Sequence, residues 1–165
     1  MRYTAKTEYA FICLCYMVKK NAPTPINVKE IAGEENYSYA FIEKVFQKLR
    51  KANIVTSEQG NKGGYTLVKN PSHISMKDII EAMENKTYEV FCDPMVSKKV
   101  TCPPNRRCGL KQVWKNTKTL LDGFYESISL DMLAHNNINK ITELTTNINP
   151  NAVKIHACPR SRLQR

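Results

Sequence analysis

The chain has 165 residues, 42% of them hydrophobic, which is enough for one ordinary core with an appended element and too many for a disordered tail. Its longest apolar run near the start, residues 10–18, is about half of a bilayer span and no signal peptide is legible, so a cytoplasmic protein without a membrane segment is expected. The 25 basic against 15 acidic side chains give a formal charge of +10, spread over both halves, which points to a polyanionic partner; a soluble protein that is merely basic is the competing reading.

Tyr9, Ile12, Cys13, Tyr16 and Met17 recur at helical spacing and stop at Lys19, Lys20 and Asn21 ahead of Pro23 and Pro25, which predicts a first helix. Asn27 and Glu30 are spaced as a capping box, and Val28, Ile31 and Ala32 give a short second helix that Gly33 closes. Asn36 and Ser38 can both cap a third helix over residues 39–51. It places Ile42, Val45, Phe46 and Leu49 on one face and Glu43, Lys44, Gln47, Lys48 and Arg50 outside it. Two β-prone runs, 54–57 and 65–68, flank a connection with three glycines in five positions, which permits the positive φ angles of a tight hairpin and close approach of its backbone to a partner. Helix, helix, helix, hairpin is the order of a winged helix-turn-helix, a mostly α fold with a small β wing; another small α+β domain is the alternative.

Ser75 with Asp78 opens a fourth helix through Ile79, Ile80 and Met83. Residues 91–109 then lose periodicity while gathering three cysteines and three prolines. From Leu110 the residues Val113, Trp114, Thr117, Leu120, Leu121, Phe124, Tyr125, Ile128 and Leu133 keep an apolar stripe. A helix that long outgrows its own domain and is expected to bury its stripe against a second copy, although packing back on the first domain would also satisfy it. Residues 136–165 are asparagine-rich at first, weakly patterned, and expected to fray. The expected division is a DNA-binding domain over 1–88, a cysteine loop over 89–109, a dimerisation helix over 110–134 and a weakly ordered extension over 135–165.

The six cysteines are Cys13, Cys15, Cys92, Cys102, Cys108 and Cys158. Cys92, Cys102 and Cys108 are spaced too widely for the close pairs of most zinc ribbons, and soft thiolates on a loop suit an iron-sulfur cluster better. Lys98, Lys99, Arg106, Arg107 and Lys111 surround them, with no acidic residue between Pro94 and Leu121, and positive charge favours thiolate. Zinc, or three unligated or disulfide-forming thiols, remain the alternatives. Cys13 and Cys15 read as small hydrophobes on the first helix, with Cys13 a reserve ligand, and Cys158 with His156 as incidental. His73 and His135 have no partner at metal spacing. No nucleophile, base or phosphate-binding constellation is legible, so no enzyme is expected.

The opening Met1-Arg2-Tyr3-Thr4, the pair Ser38-Tyr39, the helix of residues 41–51, the stretch 60–67 and the three-cysteine loop together resemble the Rrf-type winged-helix transcription regulators, which include the IscR- and NsrR-like iron-sulfur and nitric-oxide sensors. The resemblance covers residues 1–134. It implies a homodimer crossed through the long helix, on a palindromic double-stranded DNA operator, with the third helix in the major groove and the wing at the minor groove. The DNA-contacting residues are then Arg2, Ser38, Tyr39, Glu43, Lys44, Lys48, Arg50, Lys51, Gln59, Asn61 and Lys62. Lys44, Lys48, Arg50 and Lys51 suit phosphates, while Glu43, an acceptor matched by a glutamate in relatives, suits a cytosine amino group unless it pairs with Gln47 on a solvated face. Many relatives carry arginine where Gln59 stands, and Lys62 can take its place.

Some relatives supply a histidine three residues after the third cysteine, where this chain has Lys111. Nitric-oxide-sensing relatives use an acidic residue of the first helix donated by the other subunit, and Glu8 stands there. The implied cofactor is an iron-sulfur cluster of two or four irons on Cys92, Cys102, Cys108 and Glu8. The implied function is a repressor sensing redox, nitric oxide or iron-sulfur status. The alternative is a winged-helix thiol switch in which Cys92, Cys102 and Cys108 oxidise, or answer an effector, without iron.

Overall fold

The computed structural model describes residues 3–21, 24–60, 63–88 and 109–148. Arg2, Asn61, Lys62, Cys92, Cys102, Cys108, His156 and Cys158 lie outside the described residues.

Helix α1 (Ala5–Lys20) ends at Asn21, whose amide donates to the Met17 and Val18 carbonyls. Its buried residues are Thr7, Ala10, Cys13, Leu14, Met17 and Val18; of the expected stripe Cys13 and Met17 are buried, Tyr9 and Tyr16 pack at the edge of the core and Ile12 is exposed. Thr7, Ala10 and Cys13 are small enough to let neighbouring helices approach closely, and Tyr9 and Tyr16 flank the contact. Tyr9 sits edge-on to Tyr37 at 4.4 Å and to Phe41 at 5.0 Å, and the Tyr16 hydroxyl donates to Glu30 at 2.8 Å. Helix α2 (Val28–Glu34) is capped by Asn27, whose side chain accepts from the Lys29 amide. The expected capping box does not form, because Glu30 instead serves Tyr16 and Lys20. Gly33 lies inside the helix, and the chain leaves through Asn36 at φ 56°.

Helix α3 (Tyr39–Lys51) has the expected bounds, with Ile42, Val45, Phe46 and Leu49 buried. Strands β1 (Val55–Glu58) and β2 (Gly64–Leu67) form an antiparallel hairpin that pairs Val55 with Leu67 and Glu58 with Gly64. The first strand starts one residue later than expected because the Ile54 amide closes the end of α3 on the Leu49 carbonyl. Ile26 pairs with Tyr65 along the outer edge of β2, each amide donating to the other's carbonyl at 3.0 and 2.9 Å. A Cβ at Gly64 would collide with the Ile26 carbonyl. The close partner of this glycine is therefore the chain's own backbone, and among the hairpin glycines only Gly60 takes a positive φ.

Helix α4 (Met76–Glu84) opens on the full Ser75–Asp78 capping box. Helix α5 (Gly109–Ser127) is shorter than its stripe, and the chain breaks before α6 (Leu130–Ala134). At the break Ser129 bridges to Ser75, the Met76 amide donates to the Ile128 carbonyl, and the Leu130 amide donates to the Ile74 carbonyl. Ser129 caps α6 through the Met132 amide. The break turns Leu130 and Ala134 into the core built by α1, α3 and α4, so the expected uninterrupted stripe to Leu133 is two elements with different partners. Residues 138–148, expected to fray, form α7 (Ile138–Ile148), which touches α5 and α6. Asn21, Asn36, Asn53, Asn85 and Asn136 all take positive φ, each shortly after a helix.

Candidate nucleic-acid interface and the base of the cysteine loop

Four residues of α3 stand opposite its buried face and are exposed: Ala40, Lys44, Gln47 and Lys51, spaced i, i+4, i+7, i+11. Ala40 and Gln47 are absent from the expected contact set, and that spacing is the signal that would have found them. Tyr39 is exposed and Ser38 occupies the N-cap without a side-chain capping bond. The first turn of α3 carries no acidic residue, so no carboxylate there offsets the positive end of the helix dipole. Gln59, directly after β1, is exposed as well.

The flanks of α3 have different assignments. On the hairpin side, Glu43 Oε1 accepts from the Tyr65 hydroxyl at 3.0 Å, and Arg50 Nη1 donates to Ser57 Oγ at 3.1 Å. Glu43 is thus tied to the hairpin rather than paired with Gln47. Burial, and then the bond to Glu43, raise the Tyr65 hydroxyl pKa, so it stays a donor. On the other flank, Lys48 Nζ donates to the Met83 carbonyl at 2.7 Å. In the structure the Lys48 ammonium thus closes the C-terminal end of α4, where a cation also meets the helix dipole, on a different flank of α3 from Lys44 and Lys51.

The cysteine loop leaves the described structure after Tyr88 and returns at Gly109, the first residue of α5. The Tyr88 ring lies 6.4 Å from the Trp114 ring, which sets Tyr88 beside the first half of α5. Below it is a polar cluster that the sequence does not reveal. Buried Thr87 donates to Asp122, which Lys118 also holds at 2.6 Å. Tyr3 donates to the Thr87 carbonyl at 3.1 Å and meets the Tyr125 hydroxyl at 2.9 Å. Glu84 accepts from the Thr4 amide at 2.8 Å, from the Thr4 hydroxyl at 2.6 Å and from Thr7. Burial pushes the Glu84 and Asp122 carboxyls up, but the donors around each outweigh it and hold both below the usual carboxylate range. Burial, with Tyr125 beside it, raises the Tyr3 hydroxyl. The cluster joins the start of α1, the end of α4 and the middle of α5 at the point where the loop departs.

Glu8 is exposed in the first turn of α1, next to Thr7. Among the described residues no three His, Cys, Asp or Glu side chains converge on a metal-sized site. Cys13 does not suit a ligand's role: it is fully buried, and burial, with Glu35 nearby, pushes its thiol up to about 12, which disfavours the thiolate a metal needs. Burial raises the Cys15 thiol too. No helix among the described residues is long and apolar enough to cross a membrane.

The signature of the Rrf2 family, described as an iron-dependent transcriptional regulator, matches residues 3–136. The chain belongs to the Rrf2 family. Its members similar to this Rrf2 regulator include the HTH-type transcriptional regulator IscR of Photorhabdus laumondii, 29% identical over 136 residues that cover 82% of this chain and 80% of that protein. IscR of Escherichia coli O9:H4 is 26% identical over 164 residues, covering 99% of this chain and 94% of its own. Among solved structures, the Rrf2 chain superposes on CymR, the global cysteine regulator of B. subtilis, with a TM-score of 0.66 at 24% identity over 82% of this chain and 98% of that one, which concerns the fold. T. potens IscR gives 0.61 at 25% identity, over 82% of this chain and 88% of that one. The oxidized form of Staphylococcus aureus CymR gives 0.59 at 28% identity, over 81% and 96%. The protein is a winged-helix transcriptional regulator of the Rrf2 family, and DNA binding follows from that membership.

Proposed function

We propose that this Rrf2 regulator binds a palindromic double-stranded operator as a homodimer, and that Cys92, Cys102 and Cys108, with Glu8 of the other subunit, hold an iron-sulfur cluster that sets operator affinity. The outward row Ala40, Lys44, Gln47 and Lys51 on α3 carries the DNA half of the reading. Lys44 and Lys51 suit phosphates, Gln47 and Ala40 suit an adenine edge and a thymine methyl, and Glu43 suits a cytosine amino group. Arg2, Ser38, Tyr39, Arg50, Gln59, Asn61 and Lys62 complete the proposed contact surface. Exposed Leu110, Val113 and Leu120 on α5 support a second copy as the partner of that helix. The working division is a DNA-binding unit over 1–88 whose core α6 completes, a cofactor loop over 89–109, a dimerisation segment that within 110–134 is α5, and an extension over 135–165.

The donor chemistry fits the cofactor: three soft thiols in a basic stretch, and a carboxylate whose hard oxygen is the weakest of the four ligands. When bound, an iron-sulfur cluster supplies a redox-active, nitric-oxide-reactive centre. The chain's own part is mechanical. Thr87 ties the residues just before the loop to the Asp122–Tyr125 cluster, Tyr3 and Glu84 link that cluster to α1 and α4, and Lys48 links α4 to α3. A change in loop order can therefore shift the population of α3 placements within a dimer. Anaerobically purified protein is expected to show visible absorption bands with stoichiometric iron and sulfide, and operator binding that changes when they are removed.

The S. aureus CymR neighbour solved as an oxidized form favours a second reading, a thiol switch on the same fold. It predicts a colourless, iron-free protein whose operator binding responds to oxidant and reductant. Absorption, metal content and that response separate the two.

A further inference from the structure

Glu43 is positioned by the wing. Its Oε1 is held at 3.0 Å by the hydroxyl of Tyr65, 22 residues away. Tyr65 has almost no freedom itself: it is 7% exposed, its ring lies 4.7 Å from Phe46, and its backbone is bonded in both directions to Ile26. Tyr65 faces Ser57 across the hairpin ladder, and Ser57 accepts from Arg50, which shares the hairpin-side flank of α3 with Glu43. One rung of the hairpin therefore sends two ties to one flank of α3.

We propose that Tyr65 is a specificity-positioning residue, its hydroxyl holding the Glu43 carboxylate in the orientation in which the second oxygen reads an amino group in the major groove. The inference rests on the reading that α3 enters that groove. A glutamate on a solvated helix face explores many rotamers and pays ordering entropy when it docks. Here one oxygen is already held by a buried donor, so the carboxylate is oriented before DNA arrives. Its remaining oxygen can accept from the cytosine N4 amino group or the adenine N6 amino group. It meets repulsion at guanine O6 and N7 or thymine O4. Discrimination at this position follows from orientation, whereas Lys44 and Lys51 set affinity.

The test is selection of bound sequences from a random duplex library by the intact protein and by Tyr65→Phe, Glu43→Ala and the double variant, with non-specific duplex affinity measured in parallel. Phenylalanine keeps the ring against Phe46 and removes only the donor. The intact protein is expected to show one position per half-site with a strong preference for an amino-bearing base. Tyr65→Phe is expected to weaken that preference about fivefold to tenfold. It should leave other positions and non-specific affinity unchanged, and have no further effect in the Glu43→Ala background. Glu43→Gln provides a second reading that does not depend on loss. With its carbonyl oxygen held by Tyr65, its amide points outward and the preference should turn toward bases presenting acceptors, and that turn should vanish when Tyr65→Phe is added. A Tyr65→Phe profile identical to the intact protein's, or one altered at positions that Glu43→Ala does not touch, overturns the proposal. A library from which the intact protein enriches no sequence overturns the operator reading, and this one with it.

Discussion

Lys48→Met separates a structural cation from a DNA-binding one on the same helix. Methionine keeps most of the lysine stem, so the loss is the ammonium that donates 2.7 Å to the Met83 carbonyl beside the end of α4. A hydrogen bond from a charged donor contributes about 1.5–3 kcal/mol when well shielded. The Lys48 side chain is exposed and its bond only part-buried, so water recovers part of that, and about 1 kcal/mol plus a few tenths from the helix dipole is the expected cost. For a folded unit of this size that lowers the melting temperature by about 3–6 °C. On DNA the expectation reverses. Lys44→Met and Lys51→Met should each reduce the slope of log affinity against log salt by about 1 between about 50 and 200 mM, while Lys48→Met leaves it unchanged. Thermal melts and anisotropy titrations on an operator duplex measure both quantities. A Lys48→Met protein that melts with the parent but has lost one phosphate's worth of salt dependence would refute the assignment.

Leu130 is fully buried although it follows the break after α5, and Leu130→Ala should cost about 2–5 kcal/mol in denaturant unfolding; a loss below about 1 kcal/mol would detach α6 from the core. The Glu84 carboxyl titrates below its unfolded value because the donors of Thr4 and Thr7 outweigh burial. The unfolded chain therefore takes up this proton first: the stabilisation is fully present above the usual carboxylate range near about pH 4 and is lost as pH falls through the folded value. Glu84→Gln should flatten that acid limb in melts taken from neutral to acid pH, and parallel limbs for both proteins would remove Glu84 as a contributor. Leu120 is exposed in the middle of α5, and Leu120→Glu should yield a monomer by sedimentation if α5 is the dimer contact; an unchanged sedimentation profile would move the interface elsewhere.

Helix α3 was legible to the residue because four large apolar side chains repeat at helical spacing and face one way. Helix α1 was legible in extent and only partly in orientation: Cys13 and Met17 of the expected stripe are buried, but Thr7, Ala10, Leu14 and Val18 complete the core face while Tyr9 and Tyr16 lie at its edge and Ile12 is exposed. The end of α5 was hidden by continuity. Ile128 and Leu133 prolong the stripe, and only the pairing of Ser129 with distant Ser75 reveals that the helix must stop. Residues 138–148 carry Ile138, Ile141, Leu144 and Ile148 at helical spacing, a signal masked by the surrounding asparagines. At the candidate interface, charge marked α3 as cationic without telling Lys48 from Lys44. That distinction depends on the end of α4 lying beside one flank, a tertiary fact. The tie between Glu43 and Tyr65 was equally out of reach, because the contact spans the whole hairpin.

The five left-handed asparagines among the described residues limit which sequences can inherit this fold. Where a helix ends in a left-handed residue that residue is usually glycine, which gains its freedom at the expense of a more disordered unfolded state. Asparagine reaches the same backbone region with a side chain attached. At Asn21, Asn36, Asn53, Asn85 and Asn136, where φ runs from 42° to 68°, an ordinary L-residue would cost about 1–2 kcal/mol each. A domain's whole margin is about 5–15 kcal/mol, so accumulating such exchanges at a few of these exposed, chemically idle positions would unfold it as surely as emptying the core. Lineages of this protein should drift between asparagine, aspartate and glycine there, and seldom further.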